Sequence, residues 1–313
     1  MATLFDVARL AGVSKSTVSN VIRGNVPVAH ATRTRVERAI VDAGYRPNVI
    51  ARSLKQKTSA AIGILVPDLI NPFHAELAAS VERAANARGY AALIAHTECA
   101  VSSEEEAGDA FISRRVDGVI LGGISVGSTL PAVLLDQGIP VVVASFGEPD
   151  DARLGVIDQD DPAAMEAVVE HLYGLGHRRM AFVPLGLPEQ SGERRRIGFE
   201  DALARRGLAA VDLDDDATAA VAHNDIIAIQ TIDVLERSGK RVPEDISVVG
   251  YDDIPLAAHS RIRLTTVRSD PARMGRRAAE LVIDAIRGGR HVARREIQKN
   301  PIVIRETTCE KSA

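Results

Sequence analysis

The chain has no tryptophan, and only 3% of its residues are aromatic, so no indole is available to stack on a sugar face. Cysteine is scarce as well. Cys99 and Cys309 show no metal-ligand spacing and nothing suggests an oxidising compartment, so zinc and disulfides are set aside and two inert thiols are expected. No apolar run approaches the length of a membrane span, and the N-terminus lacks the charged-then-apolar pattern of a secretion signal. A cytoplasmic protein follows. Internal repeats and low-complexity tracts are also missing, and no cofactor is expected. What remains is a soluble globular composition, 46% hydrophobic and 26% charged, in 313 residues, enough for one large or several ordinary domains.

The charge is unevenly placed. Residues 1 to 58 hold ten Lys/Arg against three Asp/Glu, a balance of +7, and the total of -4 leaves -11 for the rest. A basic head on an acidic body is the electrostatic footprint of a DNA-binding module, although a charged stretch alone is commonly just a solvated face. The pattern inside the head strengthens the first reading. In LFDVARLAGVSKSTVSNVIRGN, Leu4, Val7, Ala8 and Ala11 fall at helical spacing behind a Thr3 cap, and Gly12 ends the run. Ser14 caps a second helix with Val18, Val21 and Ile22 on one side and Lys15, Ser16, Asn20 and Arg23 on the other. This is a helix-turn-helix whose second helix can offer its N-terminal residues to the major groove, where Asn matches adenine and Lys matches guanine. A third helix is expected to begin at a Thr32 cap and to close at Gly44.

From residue 60 onward short apolar runs alternate with helical patterns: AIGILV, helix 74–88, YAALIA, helix 103–114, GVILGG, helix 129–137, PVVVAS. A second series runs through RMAFVP, ATAAVA, ISVVGY and LTTV. Strands buried on both faces and separated by helices imply parallel doubly wound sheets in two α/β lobes.

The segments DVARLAGVSKSTVSNVI, YRPNVIARSL, IGILVPDLINPF, RRVDGVIL, LGHRRMAFV, HNDIIAI, VPEDISVVGYDDIPLA and LTTVR, in this order, resemble the lactose/galactose-repressor (LacI-type) family of bacterial transcription factors. The resemblance spans nearly the whole chain. It implies a head at 1–46, a hinge helix and linker at 47–58, and a periplasmic-binding-protein-like body at 59–313. Within the body it implies an N-lobe of about 59–160 and 270–289, and a C-lobe of about 161–269 and 290–313 that is shortened near 208–217.

The resemblance also implies roles. Lys15, Ser16 and Asn20 would read bases, while Thr17, Ser19 and Arg23 would touch phosphate or pack. Residues 48–56 are too few for a helix in isolation, since isolated helices below about 12 residues are marginal. In similar repressors two copies of this segment pair in the minor groove, with the leucine matching Leu54 wedged between base steps and Val49 and Ala51 as helix-to-helix contacts. Phe73, Arg195, Asn224 and Asp252 would hold a small-molecule effector, a sugar or sugar derivative, between the lobes. Departures weaken the sugar reading: Ser145 and Ser269 stand where the lactose repressor has aspartate and glutamine. With no leucine heptad after PIVIR, a homodimer on palindromic double-stranded DNA is expected, with no tetramerising tail.

Two features point elsewhere. Gly123-Ile124-Ser125-Val126-Gly127 fits the elbow of α/β-hydrolases, with Asp158 and His177 in the matching chain order, so a small-molecule-binding protein or a hydrolase-like enzyme using Ser125 stands as the alternative. The chain is also short between Leu208 and Ala217, where only AAVDLDDD stands; the acidic residues Asp212, Asp214, Asp215 and Asp216 read as a solvated loop. An edge strand and a helix need roughly 20 or more residues there. The expectation is a second lobe with strands 1, 3, 4 and 5 only, an exposed edge at RMAFVP, and the helix from Arg194 to Arg206 joining strand 1 directly to strand 3. On its usual face that helix would form the left-handed crossover that about 98% of such units avoid, and on the other face it would carry Arg195 out of the cleft, so the shortened lobe is expected to have impaired stability or ligand response.

Overall fold

A computed structural model describes residues 2–23, 26–45, 58–144, 151–187, 190–214, 216–289, 292 and 294–311. It divides into two compact units, residues 1–59 and 60–313.

In the first unit, helix α1 (Leu4–Ala11) opens on a capping box: Thr3 Oγ1 accepts from Asp6 N–H, and Asp6 Oδ2 accepts from Thr3 N–H at 2.9 Å. It closes on Gly12 at φ 63°, a left-handed conformation that costs glycine little. Helix α2 (Lys15–Arg23) starts where Ser14 Oγ accepts from Thr17 N–H at 3.1 Å. Helix α3 (His30–Asp42) begins three residues earlier than expected, with Ala29 at the cap position and Thr32 already inside the first turn. Neither His30 nor Ala31 interrupts helical geometry, so the hydroxyl at 32 is not needed to start it. Val7, Ala8, Ala11, Val18, Val21, Val36 and Ala39 form the small core where the three helices meet.

The second unit carries two sheets. The first runs β10-β5-β4-β3-β1-β2, all parallel, from β1 (Ala61–Val66), β2 (Ala91–His96), β3 (Gly118–Leu121), β4 (Val141–Ala144), β5 (Gly155–Gln159) and β10 (Arg295–Gln298). Helices α4 (Pro72–Ala87) and α10 (Pro271–Gly288) share the core on one face, and α5 (Val101–Ser113) and α6 (Leu130–Asp136) that on the other. Helices α4 and α10 cross so closely that a Cβ on Gly275 would lie 2.6 Å from the Leu77 carbonyl oxygen. β10 corrects the expected lobe boundary. It pairs with β5, so the chain's last crossing falls after Gln298 and not near residue 290, and 295–298 belongs to the first lobe.

The second sheet runs β11-β9-β8-β7-β6, from β6 (Met180–Val183), β7 (Ala219–Ala222), β8 (Ser247–Asp252), β9 (Thr265–Arg268) and β11 (Ile302–Val303). Helices α7 (Asp161–Gly174) and α8 (Gln190–Ala204) cover one face and α9 (Asp225–Arg237) the other. β6 pairs directly with β7, as the short chain requires, but the route between them differs from the expected one. After α8 the chain reaches Val211, which forms a single parallel bridge to Ala181 on the outer side of β6, with Val211 N–H donating to the Met180 carbonyl at 3.0 Å. The edge-strand position therefore survives as one residue. Helix α8 leads outward to it and lies on the face opposite α9, so the left-handed crossover does not arise and Arg195 stays where the cleft needs it. The helix omitted is the one after that edge. In its place, 212–218 returns past the start of β6, pinned where Arg179 Nη2 meets Asp216 Oδ2 at 3.0 Å. The acidic loop is thus partly tied down, and Val234 on α9 is left 65% exposed. β11, antiparallel to β9, adds a fifth strand at the far end.

Three chain crossings join the lobes, and one amide gathers them. Gln159 Oε1, at the end of β5, accepts from Ser269 Oγ at 2.7 Å and from Asn300 Nδ2 at 2.8 Å. No helix among the described residues is long and apolar enough to cross a membrane.

Candidate functional site

On the head, Lys15 and Ser16 are exposed on α2, and Thr17, Ser19 and Asn20 are half-buried. The Thr17 hydroxyl lies 2.9 Å from Ser14 Oγ, so it braces the turn, while Lys15 Nζ sits 4.8 Å from the centroid of Phe5. Asn20 borders a shallow groove with Ser14, Thr17 and Thr32. A polar helix N-terminus displayed beside a tight turn suits a major groove. The side chain of Arg23 lies outside the described residues, as do Val49, Ala51, Leu54 and Ser145.

In the body, a cavity of about 390 Å³ opens between the lobes. Phe73, Arg195, Asn224 and Asp252 all line it, brought together from α4, α8, the β7–α9 turn and the end of β8. Their placement has local causes. Asn71 caps α4, its side chain accepting from Phe73 N–H at 3.0 Å, and Asn224 caps α9, accepting from Ile227 N–H at 2.9 Å. Asp252 and Asp253 have φ of 111° and 54°, a strained turn held by Asp225, whose Oδ2 accepts from Ile254 N–H at 2.8 Å. Asp225 fits because Gly250 has no Cβ; one would meet Asp225 Oδ1.

Arg195 is 3% exposed and held from every side. Its Nη1 donates to the His223 carbonyl at 2.8 Å, Nε lies 3.4 Å from Asp161 Oδ1, Nη2 lies 3.8 Å from Asp252 Oδ1, and the guanidinium stacks 3.7 Å from the Tyr251 ring centroid. Asp161 also accepts from Tyr251 Oη at 2.7 Å and lies 3.5 Å from Arg194 Nη1, whose other partner is Asp158 Oδ1 at 2.9 Å. Burial, then the neighbouring Asp161, push the Tyr251 hydroxyl well above its ordinary pKa, so it stays a donor. The network runs from Asp158 on the first-lobe sheet to the cleft through two consecutive arginines. Sequence reasoning named Arg195 but missed Asp161, Tyr251 and Arg194 as its support. The available signal was DQDDP, where Asp160 caps α7 and leaves Asp161 in the first turn. It also missed Ile70, Leu187, Ser191 and His223 in the lining.

The hydrolase constellation is not brought together. Ser125 is fully buried and its Oγ donates to Glu104 Oε1 at 2.8 Å. His177 lies in the other lobe, its ring nitrogens within 3.0–3.1 Å of Thr218 Oγ1, the Cys309 carbonyl and Ser247 Oγ. Asp158 faces Arg194. Ser269, one of the departures noted above, is occupied with Gln159.

A helix-turn-helix head followed by a two-lobed α/β body with a polar-based cleft defines a transcriptional regulator that binds DNA and carries a small-molecule-binding type of body. The family model for bacterial regulatory proteins of the lacI family matches residues 3–48. That for periplasmic binding proteins and the sugar binding domain of the LacI family matches 59–217, and that for the periplasmic binding protein-like domain matches 169–308. The chain belongs to the LacI family. It is 32% identical to the HTH-type transcriptional repressor PurR of Aliivibrio salmonicida, over 99% of this chain and 100% of the relative. Among solved structures, the lac repressor dimer bound to operator and the anti-inducer ONPF is similar at TM-score 0.85 and 25% identity, covering 98% of this chain and 99% of that one. A complex of the transcriptional regulator CelR with cellobiose is similar at TM-score 0.71 and 30% identity, covering 98% and 100%. These relatives are regulators of transcription, not enzymes.

Proposed function

We propose that the chain is a homodimeric repressor of transcription in the bacterial cytoplasm, acting at the nucleoid, whose affinity for a palindromic operator is set by a small molecule in the interlobe cleft. Lys15, Ser16 and Asn20 read bases; Thr17 and Arg23 position the head; Val49, Ala51 and Leu54 form the hinge contacts, with Leu54 as the minor-groove wedge. Phe73, Arg195, Asn224 and Asp252 contact the effector. The observation that carries the effector reading is the convergence of these four on one cleft despite the shortened second lobe. DNA and effector affinities are then linked reciprocally through lobe closure. Selection of bound sites from random duplex DNA tests the reading: an inverted repeat should be enriched, and enrichment of no common sequence would contradict it.

Two substitutions separate base reading from bending. Asn20→Ala should cost about 1–3 kcal/mol at one symmetric pair of operator positions and relax base preference there. An unchanged specificity profile removes Asn20 from the reading set. Leu54→Ala should leave non-specific binding intact but reduce bending and specific affinity, because an apolar wedge acts only in the kinked complex. Fluorescence energy transfer between the ends of a labelled operator measures this, and unaltered bending places the wedge elsewhere.

A further inference from the structure

We infer that Phe5 is a positioning residue for base recognition: its exposed ring holds the Lys15 ammonium at the leading end of α2, and so sets how sharply that lysine distinguishes guanine. This rests on the reading of Lys15 as a base contact. Lys15 Nζ lies over the Phe5 ring, 4.8 Å from its centroid, within the range at which an ammonium is drawn to an aromatic face. Both residues stand in the first turn of their helices, Phe5 in α1 and Lys15 in α2.

The core of the head does not account for this ring. Val7, Ala8 and Ala11 carry the α1 side of that core, while Phe5 is 56% exposed, against 4% for Phe73, 3% for Phe111 and 0% for Phe199. Lys15 is exposed too, and it makes no ion pair among the described residues. The carboxylate nearest the ring in sequence is committed elsewhere: Asp6 accepts from Thr3 N–H at 2.9 Å and from Thr3 Oγ1 at 2.7 Å, and faces Arg9 at 3.5 Å. The first turn of α2 holds no acid either, so the helix dipole opposes the charge there. Among the described residues, the Phe5 face is the favourable partner that the ammonium has before DNA arrives.

A lysine is a point charge on a flexible stem, with no planar fork to orient it, and it loses rotamer freedom when its ammonium is fixed on a base. Stacking on Phe5 removes part of that loss beforehand. The ring also keeps water from one side of the ammonium, which strengthens its attraction to the O6 and N7 acceptors of guanine. Both effects act at the base that Lys15 faces. They add nothing at the positions read by Asn20.

The test is anisotropy of the full chain on its selected palindrome and on duplexes changed at one symmetric pair of positions at a time. Lys15→Ala identifies the pair that Lys15 reads, where discrimination should fall about tenfold or more. Phe5→Ala should lower discrimination at that same pair by about three- to tenfold, with other positions and affinity for non-specific competitor unaltered. Phe5→Tyr should retain the parent's profile because it keeps the aromatic face, whereas Phe5→Leu, apolar but without that face, should match Phe5→Ala. In a Lys15→Ala background, Phe5→Ala should change nothing further. Equal loss at every position overturns the inference, as does a Phe5→Leu variant equal to the parent or a Phe5→Ala effect that persists without Lys15. An unaltered profile for Phe5→Ala beside a relaxed one for Lys15→Ala overturns this inference alone. A Lys15→Ala variant that relaxes no single pair, whether silent or weakening all sequences alike as a lost phosphate contact would, overturns the base-reading role of Lys15 together with this inference.

Discussion

Asp161→Ala should destabilise the body by about 3–5 kcal/mol, the usual consequence of removing one partner from a buried ion pair. Asp161 is 1% exposed and serves Arg195, Arg194 and the Tyr251 hydroxyl together. Its loss strands a buried guanidinium and a buried phenol at once, and Asp252, 3.8 Å from Arg195, is too distant to replace a hydrogen-bonded carboxylate. Asp161→Asn should cost less, because an amide oxygen still accepts from Tyr251. Urea unfolding followed by far-UV circular dichroism measures both. A change below about 1 kcal/mol for the alanine variant would mean that Arg195 is held by its carbonyl and ring contacts alone.

The second large effect concerns pH. Burial raises the pKa of Asp225 from 3.8 to about 7, despite the hydrogen bonds from Thr266 and Ile254 that favour the carboxylate. The folded chain therefore keeps a proton that the unfolded chain releases. The stability linked to that proton is fully present below about pH 3.8 and is lost as pH rises through about 7. The difference between 3.8 and about 7 corresponds to roughly 4 kcal/mol at most across the window. Asp225→Asn reproduces the protonated acid: its oxygen can accept from Ile254 N–H, and its amide can donate to Thr266 Oγ1. The variant should be more stable than the parent at pH 8, by up to about 4 kcal/mol, and the difference should shrink toward pH 4. Urea midpoints at pH 5 and pH 8 check the sign. Parallel profiles for the two chains would show that Asp225 does not titrate between those values. The same residue holds Ile254, two positions from Asp252, so the turn that carries a cleft carboxylate is included in the effect.

Legibility in the sequence followed the range of the interaction. Thr3, Gly12 and Ser14 were readable because caps act within four residues, and the helix-turn-helix core followed from its spacing. The parallel strands were readable as apolar runs, apart from β5, whose GVIDQ carries two polar residues that meet the other lobe crossings and Arg194. β10, REIQ, has only one apolar residue and exists because its backbone pairs with β5. No local pattern announces such a strand. The shortened lobe shows the limit of length arguments: residue counting correctly excluded a full strand and helix, but it could not foresee that Val211 would keep the edge position as a single bridge. That one pairing preserves the side of the sheet on which α8 lies, and with it Arg195 in the cleft. The support around Arg195 was illegible for the same reason, since Asp161 and Tyr251 are 90 positions apart and meet only once the second lobe is folded.

The most direct measurement is an anisotropy titration of the full chain with a selected palindromic duplex, in excess non-specific competitor, at two salt concentrations. A regulator of this kind should bind the palindrome about a thousandfold or more tighter than the competitor and lose affinity steeply as salt rises. Affinity for the palindrome no greater than for the competitor would contradict sequence-specific regulation by this chain.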